Sequence, residues 1–205
     1  MPLFVTSQKV TTSIFLGYQV PYFKFHSVDY ASYAQTPFQS YTTNISVNHT
    51  FKANLGLEFQ LSYRADKFKE RYNYYLSPVP YDVKETEYKL EYLVVSQGIN
   101  YVFKLNEKFN FIVQTSLKAC IPIKRQMTRT RYNGIIDKPS NLPYDDQNGL
   151  LISPEIKSAL SYQISQKIAM KISFMYGYNI YNKDYAIDAA VRSASSIELS
   201  IGYSF

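Results

Sequence analysis

Apolar side chains at every second position, over runs of about ten residues, constrain this chain more than any other feature. Ile197, Leu199, Ile201, Tyr203 and Phe205 alternate with Glu198, Ser200, Gly202 and Ser204. Side chains on a strand alternate faces, so such a run has one apolar face and one small or polar face. The pattern recurs along the chain. Leu55, Leu57, Phe59, Leu61 and Tyr63 alternate with Gly56, Glu58, Gln60, Ser62 and Arg64. Ile168, Met170, Ile172, Phe174, Tyr176, Tyr178 and Ile180 share one face opposite Lys171, Ser173, Gly177 and Asn179.

Eight such segments are read in order. The first runs from about Val10 to Val20, with even positions apolar and a continuation toward Phe25. The second covers about Tyr41 to Phe51. The third starts at Leu55 and extends toward Tyr75. The fourth spans about Thr86 to Leu105, the fifth begins at Phe109, and the sixth spans about Leu150 to Ile164. The seventh begins at Ile168, and the eighth is Ser195 to Phe205. The fourth is ambiguous in phase. Tyr88, Leu90 and Tyr92 are even, whereas Leu93, Val95, Ile99, Tyr101 and Phe103 are odd. Either a bulge near Tyr92 or a collar with an aromatic inside would explain this. Pro154 suggests that its part of the sixth strand lies beyond the regular sheet or at an edge.

Connections alternate in length. Those after strands one, three, five and seven are long and carry Pro37, Pro78, Pro80, Gly134, Pro139 and Pro143. Those at Lys52 to Asn54, Asn106 to Lys108 and Ser165 to Lys167 are about three residues. Short turns at one end and long loops at the other describe an up-and-down transmembrane barrel. No run approaches the roughly 20 apolar residues of a transmembrane helix. Tyr (21) and Phe (13) are abundant, which suits strands with ends at a membrane interface. The expected architecture is therefore all-β, a single domain over residues 1–205: an eight-stranded antiparallel up-and-down transmembrane β-barrel with greasy side chains toward lipid. A soluble lipid-binding barrel would instead turn its apolar face inward.

Eight strands enclose an interior just filled by side chains. With the apolar faces outward, Glu58, Arg64, Lys118, Glu155, Lys157, Lys171 and Glu198 point inward. Charges there must pair. Glu58 and Glu198 are expected to be neutralised by Lys171, Lys157 or Lys118, forming a polar plug.

The net charge is +6. The basic residues do not gather on one helix, so nucleic acid is not the expected partner. Lys67, Lys69 and Arg71 lie at the level of Lys124, Arg125, Arg129 and Arg131, near the outer rim. Ammonium and guanidinium groups there could hold phosphates of lipopolysaccharide or other anionic lipid. His26, Ser27 and Asp29 cluster at the rim and define a competing reading, an enzyme acting on lipid or peptide. His49 is expected at a turn, facing lipid. No phosphate-cradling loop or metal-ligand set is visible, so no cofactor or metal is expected. One cysteine, Cys120, excludes an internal disulfide and reads as a small strand residue. The start at Met1 lacks a secretory leader pattern and is expected to be that of a mature or recombinant chain.

The closing run, ending Gly202-Tyr203-Ser204-Phe205, resembles the C-terminal signal strand of bacterial outer-membrane β-barrels. That resemblance implies an outer-membrane location and recognition of Tyr203 and Phe205 by the barrel insertion machinery. The stretch Tyr92-Leu-Val-Val-Ser-Gln-Gly-Ile-Asn-Tyr101 resembles a strand of small PorT-like barrels in its outward Leu93, Val95, Ile99 and Tyr101. It departs at Val94, Ser96, Gln97 and Asn100. The resemblance implies an outer-membrane barrel, in some members an accessory of type IX secretion, and the expected role is a non-catalytic structural or accessory subunit of an envelope complex.

Overall fold

Alternation makes strands, and the strands close on themselves. A computed structural model describes residues 11–25, 34–35, 39–51, 54–71, 83–138, 150–178, 180–182 and 191–205. Eight long strands are β1 (Thr11–Phe25), β3 (Gln39–Thr50), β4 (Leu55–Arg71), β5 (Val83–Lys104), β6 (Phe109–Arg131), β8 (Leu151–Gln163), β9 (Ile168–Tyr178) and β11 (Val191–Ser204). Three two-residue strands accompany them: β2 (Ala34–Gln35), β7 (Ile136–Asp137) and β10 (Tyr181–Asn182). Each long strand pairs antiparallel with its neighbours in sequence, and β1 pairs β11 to close the ring. Closure leaves no edge among the long strands, as a bilayer demands.

The short strands lie within segments read above as loops. Ala34 and Gln35 pair with Arg71 and Glu70, and Ile136 and Asp137 fold back on Thr130 and Arg129. The fifth segment thus continues to Arg131, into the stretch from about Arg129 that reads as a loop in the sequence. Apart from residues 132–135, 138, 150 and 180, the remaining parts of the four long connections lie outside the described residues.

At one end sit the short turns. Asn106 Oδ1 accepts from the backbone N–H of Lys108 (2.9 Å) and of Phe109 (2.8 Å). Ser165 Oγ accepts from the N–H of Ile168 at 3.1 Å. Local side-chain acceptors of this kind stabilise tight turns.

Strand length is uneven. β9 has 11 residues, enough to cross a bilayer, whereas β5 has 22 and β6 has 23. The upper parts of β4, β5 and β6 therefore stand above the membrane as a collar.

The phase question in β5 resolves in favour of the collar. Leu90, Tyr92, Val94, Ser96, Gly98 and Asn100 are all buried, so one phase runs unbroken along the strand. An irregularity does lie at Tyr92, but the extra residue is Ile123 on β6. Tyr92 pairs with Pro122 and Glu91 with Lys124. Above the bulge, β6 changes faces: Cys120 is buried on even phase below it, and Met127 on odd phase above it.

Prolines mark where a strand loses a neighbour. The β8–β9 ladder ends at Glu155 with Gly177, one residue short of Pro154. The amide of Ile180 donates to Ile152 O at 3.0 Å, so alternate residues, Pro154 included, face that side. Pro154 has no N–H to give there. It nevertheless pairs with Leu117 inside the β6–β8 ladder, which narrows the expectation that it lay beyond the sheet.

Candidate functional site

Hydrophobic side chains cover the outside. Leu57, Phe174 and Leu199 are 40%, 53% and 54% exposed, whereas Glu58 and Lys171 are 2% and 1% exposed. The lipid-facing orientation follows, and the soluble-barrel reading falls with it. Aromatic pairs ring the short-turn end: Tyr101 with Phe103 (4.7 Å), Phe109 with Tyr162 (4.9 Å) and Tyr203 with Phe205 (5.1 Å between centroids). Exposed Tyr41, Tyr63, Tyr176 and Tyr178 lie toward the other end. Two such girdles bounding an aliphatic band are how a transmembrane barrel meets its interfaces.

Inside the barrel the charges pair. Lys157 Nζ donates to Glu58 Oε1 at 2.8 Å, and Lys171 Nζ to Glu58 Oε2 at 3.2 Å. Lys157 Nζ also lies 3.6 Å from Glu198 Oε1. Asn44 Nδ2 donates to Glu198 Oε2 at 2.9 Å, and Gln60 Nε2 reaches the same oxygen at 3.5 Å. Two lysines and two glutamates make a cluster with no net charge, which is what a low-dielectric interior tolerates. Lys171 Nζ further sits 4.3 Å from the centroid of the Phe15 ring.

Of the three lysines expected for Glu58 and Glu198, two are their partners. Lys157 and Lys171 serve, but Lys118 pairs with Glu155 instead. Arg64 makes a two-pronged contact to Asp66, at 2.9 Å from Nε and 2.5 Å from Nη2. Asp66 escaped the sequence reading because the alternation was followed only to Tyr63 and Arg64. Alternation assigns Asn44 and Gln60 to the inner face but does not make them ligands of a carboxylate, since a strand pattern gives a face and not a cross-barrel neighbour.

Above the charges lies an apolar layer. Leu90, Tyr92, Val94, Cys120 and Leu151 form a buried cluster with Tyr88 packed against it. Arg64 lies level with it, paired in register with Tyr92 and 5.4 Å from the centroid of that ring. Greasy side chains of β5, β6 and β8 therefore line the interior on the side of the long connections.

On the outer face of the collar, cations and carboxylates interleave. Lys69 Nζ lies 2.8 Å from Glu85 and 3.5 Å from Glu87; Lys67 and Lys89 lie 3.4 and 3.3 Å from Glu87; Lys124 lies 3.7 Å from Glu91. The basic residues expected to meet lipid phosphate divide. Lys67, Lys69 and Lys124 stand in this ladder. Arg129 and Arg131 fall on the other face of β6 above its bulge, and Arg131 pairs with Asp137 at 2.6 Å. The side chains of Arg71 and Arg125 lie outside the described residues, as do His26, Ser27 and Asp29. His49 is exposed, with Nδ1 3.1 Å from Thr12 Oγ1. Tyr203 and Phe205 point outward beside the closing seam, where Phe205 N donates to Thr12 O at 2.9 Å.

No family model and no curated protein matches this chain. Solved structures do. The fold is similar to the outer membrane protein OprG from Pseudomonas aeruginosa, with a TM-score of 0.53 and 10% identity over 97% of each chain. It is also similar to Ail, the attachment invasion locus protein of Yersinia pestis, in complex with the heparin analogue sucrose octasulfate. There the TM-score is 0.51 and the identity 12%, over 96% of this chain and 99% of that one. At such identities the likeness is one of fold. The closed ring of eight strands and the outward belt define the class: an eight-stranded transmembrane β-barrel of the bacterial outer-membrane type. The outer membrane is where a barrel of this fold and belt resides.

Proposed function

We propose that this chain is a non-catalytic structural or accessory subunit of an envelope complex, working through its outer surfaces and not through its lumen. The observation that carries this reading is the filled interior. The charges inside are paired with one another, and the apolar layer of Leu90, Tyr92, Val94, Cys120 and Leu151 lies above them. A lumen packed in this way supports a plug, not a path for solutes.

The exposed parts are then what remain to act. The collar offers Lys89 and Lys124, both 53% exposed in their side chains, to anionic headgroups such as those of lipopolysaccharide. Tyr203 and Phe205 offer the insertion machinery an exposed aromatic pair. The PorT-like stretch supports the secretion-accessory version of the reading through Leu93, Ile99 and Tyr101, which do face outward. A rim enzyme built on His26, Ser27 and Asp29, which lie outside the described residues, is the competing reading.

Native pull-down of the intact protein from detergent-solubilised membranes tests the proposal. A defined envelope partner at fixed stoichiometry is expected. Recovery of the barrel alone, together with hydrolysis of lipid or peptide, would reject it.

A further inference from the structure

Buried polar atoms without a partner among the described residues gather beside the charge cluster. Neither end of the Asn100 side-chain amide is hydrogen-bonded, nor is Asn48 Oδ1, and the two residues are 1% and 8% exposed. They come from β5 and β3, on either side of β4, and lean over the same residue. A Cβ on Gly56 would lie 2.8 Å from Asn100 Oδ1 and 3.0 Å from Asn48 Oδ1. Asn48 pairs in register with Glu58, and Asn100 with Gln114, which in turn pairs with Lys157. Gly56 is the next inward position after Glu58 toward the short turns.

Leaving such groups unpaired is costly, and buried polar atoms in proteins are nearly always bonded to something. Exchanging the oxygen and nitrogen of Asn100 does not help, because both ends are orphaned. Two carbonyl oxygens that converge on one glycine need a donor, and Asn100 Nδ2 needs an acceptor. Water supplies both. A cation would satisfy the oxygens and repel the N–H, and Lys157 and Lys171 already bring two ammonium groups to Glu58. Short side chains leave the room: Gly56 under the amides, and Ala159 and Ala169 on β8 and β9 across the lumen.

We propose that Asn48 and Asn100 form a binding site for ordered water over Gly56, so that the lumen is hydrated on the short-turn side of Glu58. Protein and water then fill the interior together, with paired charges at its middle and amide-bound water below them. Ser173 Oγ, buried without a partner and in register with Glu198, marks a second anchor for that water on the facing wall. The amides are the part of the plug that selects its filling: they hold a small neutral donor and acceptor and leave no place for an apolar solute. The inference concerns the lumen and stands apart from the accessory reading, which concerns the outer surfaces.

The test is X-ray radiolytic hydroxyl labelling of the intact barrel in lipid nanodiscs, read by mass spectrometry, since bound water labels the side chains beside it. Ile112 and Phe15 are buried on the lumen face at this end, and Leu90 is buried in the collar. After correction for intrinsic reactivity, Ile112 and Phe15 should label about tenfold faster than Leu90. Asn48→Ala with Asn100→Ala leaves room but removes the amides, and apolar space stays dry, so this labelling should fall about tenfold. Asn48→Ser with Asn100→Ser leaves similar room, keeps hydrogen-bonding groups and should retain it. A heat-dependent shift in electrophoretic mobility confirms that each variant is folded, and the single changes Asn100→Ala and Asn100→Ser repeat the comparison if a double variant is not. Labelling of Ile112 and Phe15 no faster than that of Leu90, equal labelling in the alanine variant and the parent, or equal loss in the serine and alanine variants would overturn the proposal. So would a shift of the urea midpoint when sodium replaces choline at constant ionic strength, which would assign the site to a cation.

Discussion

Lys157 and Glu58 meet 2.8 Å apart in the middle of the barrel, each almost wholly buried, from strands β8 and β4 that are not neighbours in the sheet. The pair ties one wall to another across the lumen. Lys171, from β9, holds the second oxygen of the same carboxylate.

Breaking this cluster one side at a time should be destabilising. Lys157→Met leaves Glu58 with Lys171 alone and takes from Glu198 the cation 3.6 Å away. Removing one partner of a buried pair costs about 3–5 kcal/mol. Replacing Glu58 as well, in Glu58→Leu with Lys157→Met, leaves one lysine and one glutamate, Lys171 and Glu198, restores the balance of charge and should recover part of that loss. Urea unfolding in lipid vesicles, followed by tyrosine fluorescence, measures both. Equal stability of Lys157→Met and the parent would mean that the cluster is dispensable.

Gly202 and Phe15 form a second device. A Cβ on Gly202 would lie 2.3 Å from Phe15 Cδ1, so the glycine is what lets an aromatic ring enter the lumen. Gly202→Ala should destabilise by about 1–3 kcal/mol through overpacking. Adding Phe15→Leu removes the ring that the methyl strikes and should relieve the clash. If Gly202→Ala alone unfolds no more readily than the parent, the ring has room elsewhere.

Why some of this was legible and some not follows from what a strand pattern encodes. Alternation assigns each side chain to a face, so Leu57 and Leu199 outside, and Glu58 and Lys171 inside, could be read directly. It does not give height on another strand. Lys118 was therefore as plausible a partner for Glu58 as Lys157, until shear brought Lys118 to Glu155. Phase breaks on a partner strand are also invisible. Tyr92 drew attention to a bulge, but the extra residue, Ile123, lies on β6 and turns Met127 inward there. Leu90 and Tyr92 break the phase of the lower strand, and of the two explanations the pattern leaves open, the collar with an aromatic inside is the one that describes them. The upper layer of the interior is apolar.

The collar should loosen at both extremes of pH. Partial burial of Glu87 raises its carboxyl pKa, but the hydrogen bond from Lys89 and the charge of Lys67 outweigh it and hold the pKa below the usual range. A lowered carboxylate pKa contributes stability above the unfolded value and loses it as pH falls through the folded one. The hydrogen bond and charge of Glu85 raise the Lys69 pKa, so its contribution is present below the ordinary lysine range and fades only as pH rises through the raised value. Amide exchange, corrected for the intrinsic pH dependence of the chemistry, should be slowest over Glu85 to Glu91 between those limits. It should quicken below about pH 4, while the membrane-spanning parts of β9 and β11 stay protected. Uniform protection of the collar down to that pH would show that its ion pairs add nothing, as many exposed pairs do not.

The lipid-facing belt makes the last prediction, and it is one of depth. Leu199 lies between Ile172 on β9 and Tyr18 on β1, and four residues from Tyr203. Leu199→Lys puts an ammonium where only hydrocarbon can surround it. The expected cost is about 2–4 kcal/mol near the midplane of the bilayer. Tyr203→Lys sits in the short-turn girdle, 5.7 Å in ring distance from Lys167, where a charge can reach water. It should cost about 0–1 kcal/mol. Ser200→Ala, one residue from Leu199 but facing the lumen, should fall near zero, because its hydroxyl makes only a 3.5 Å contact to Lys171 O. Reversible folding into vesicles gives all three values. Equal costs for Leu199→Lys and Tyr203→Lys would mean that the two positions do not differ in depth, and the belt would have to be redrawn.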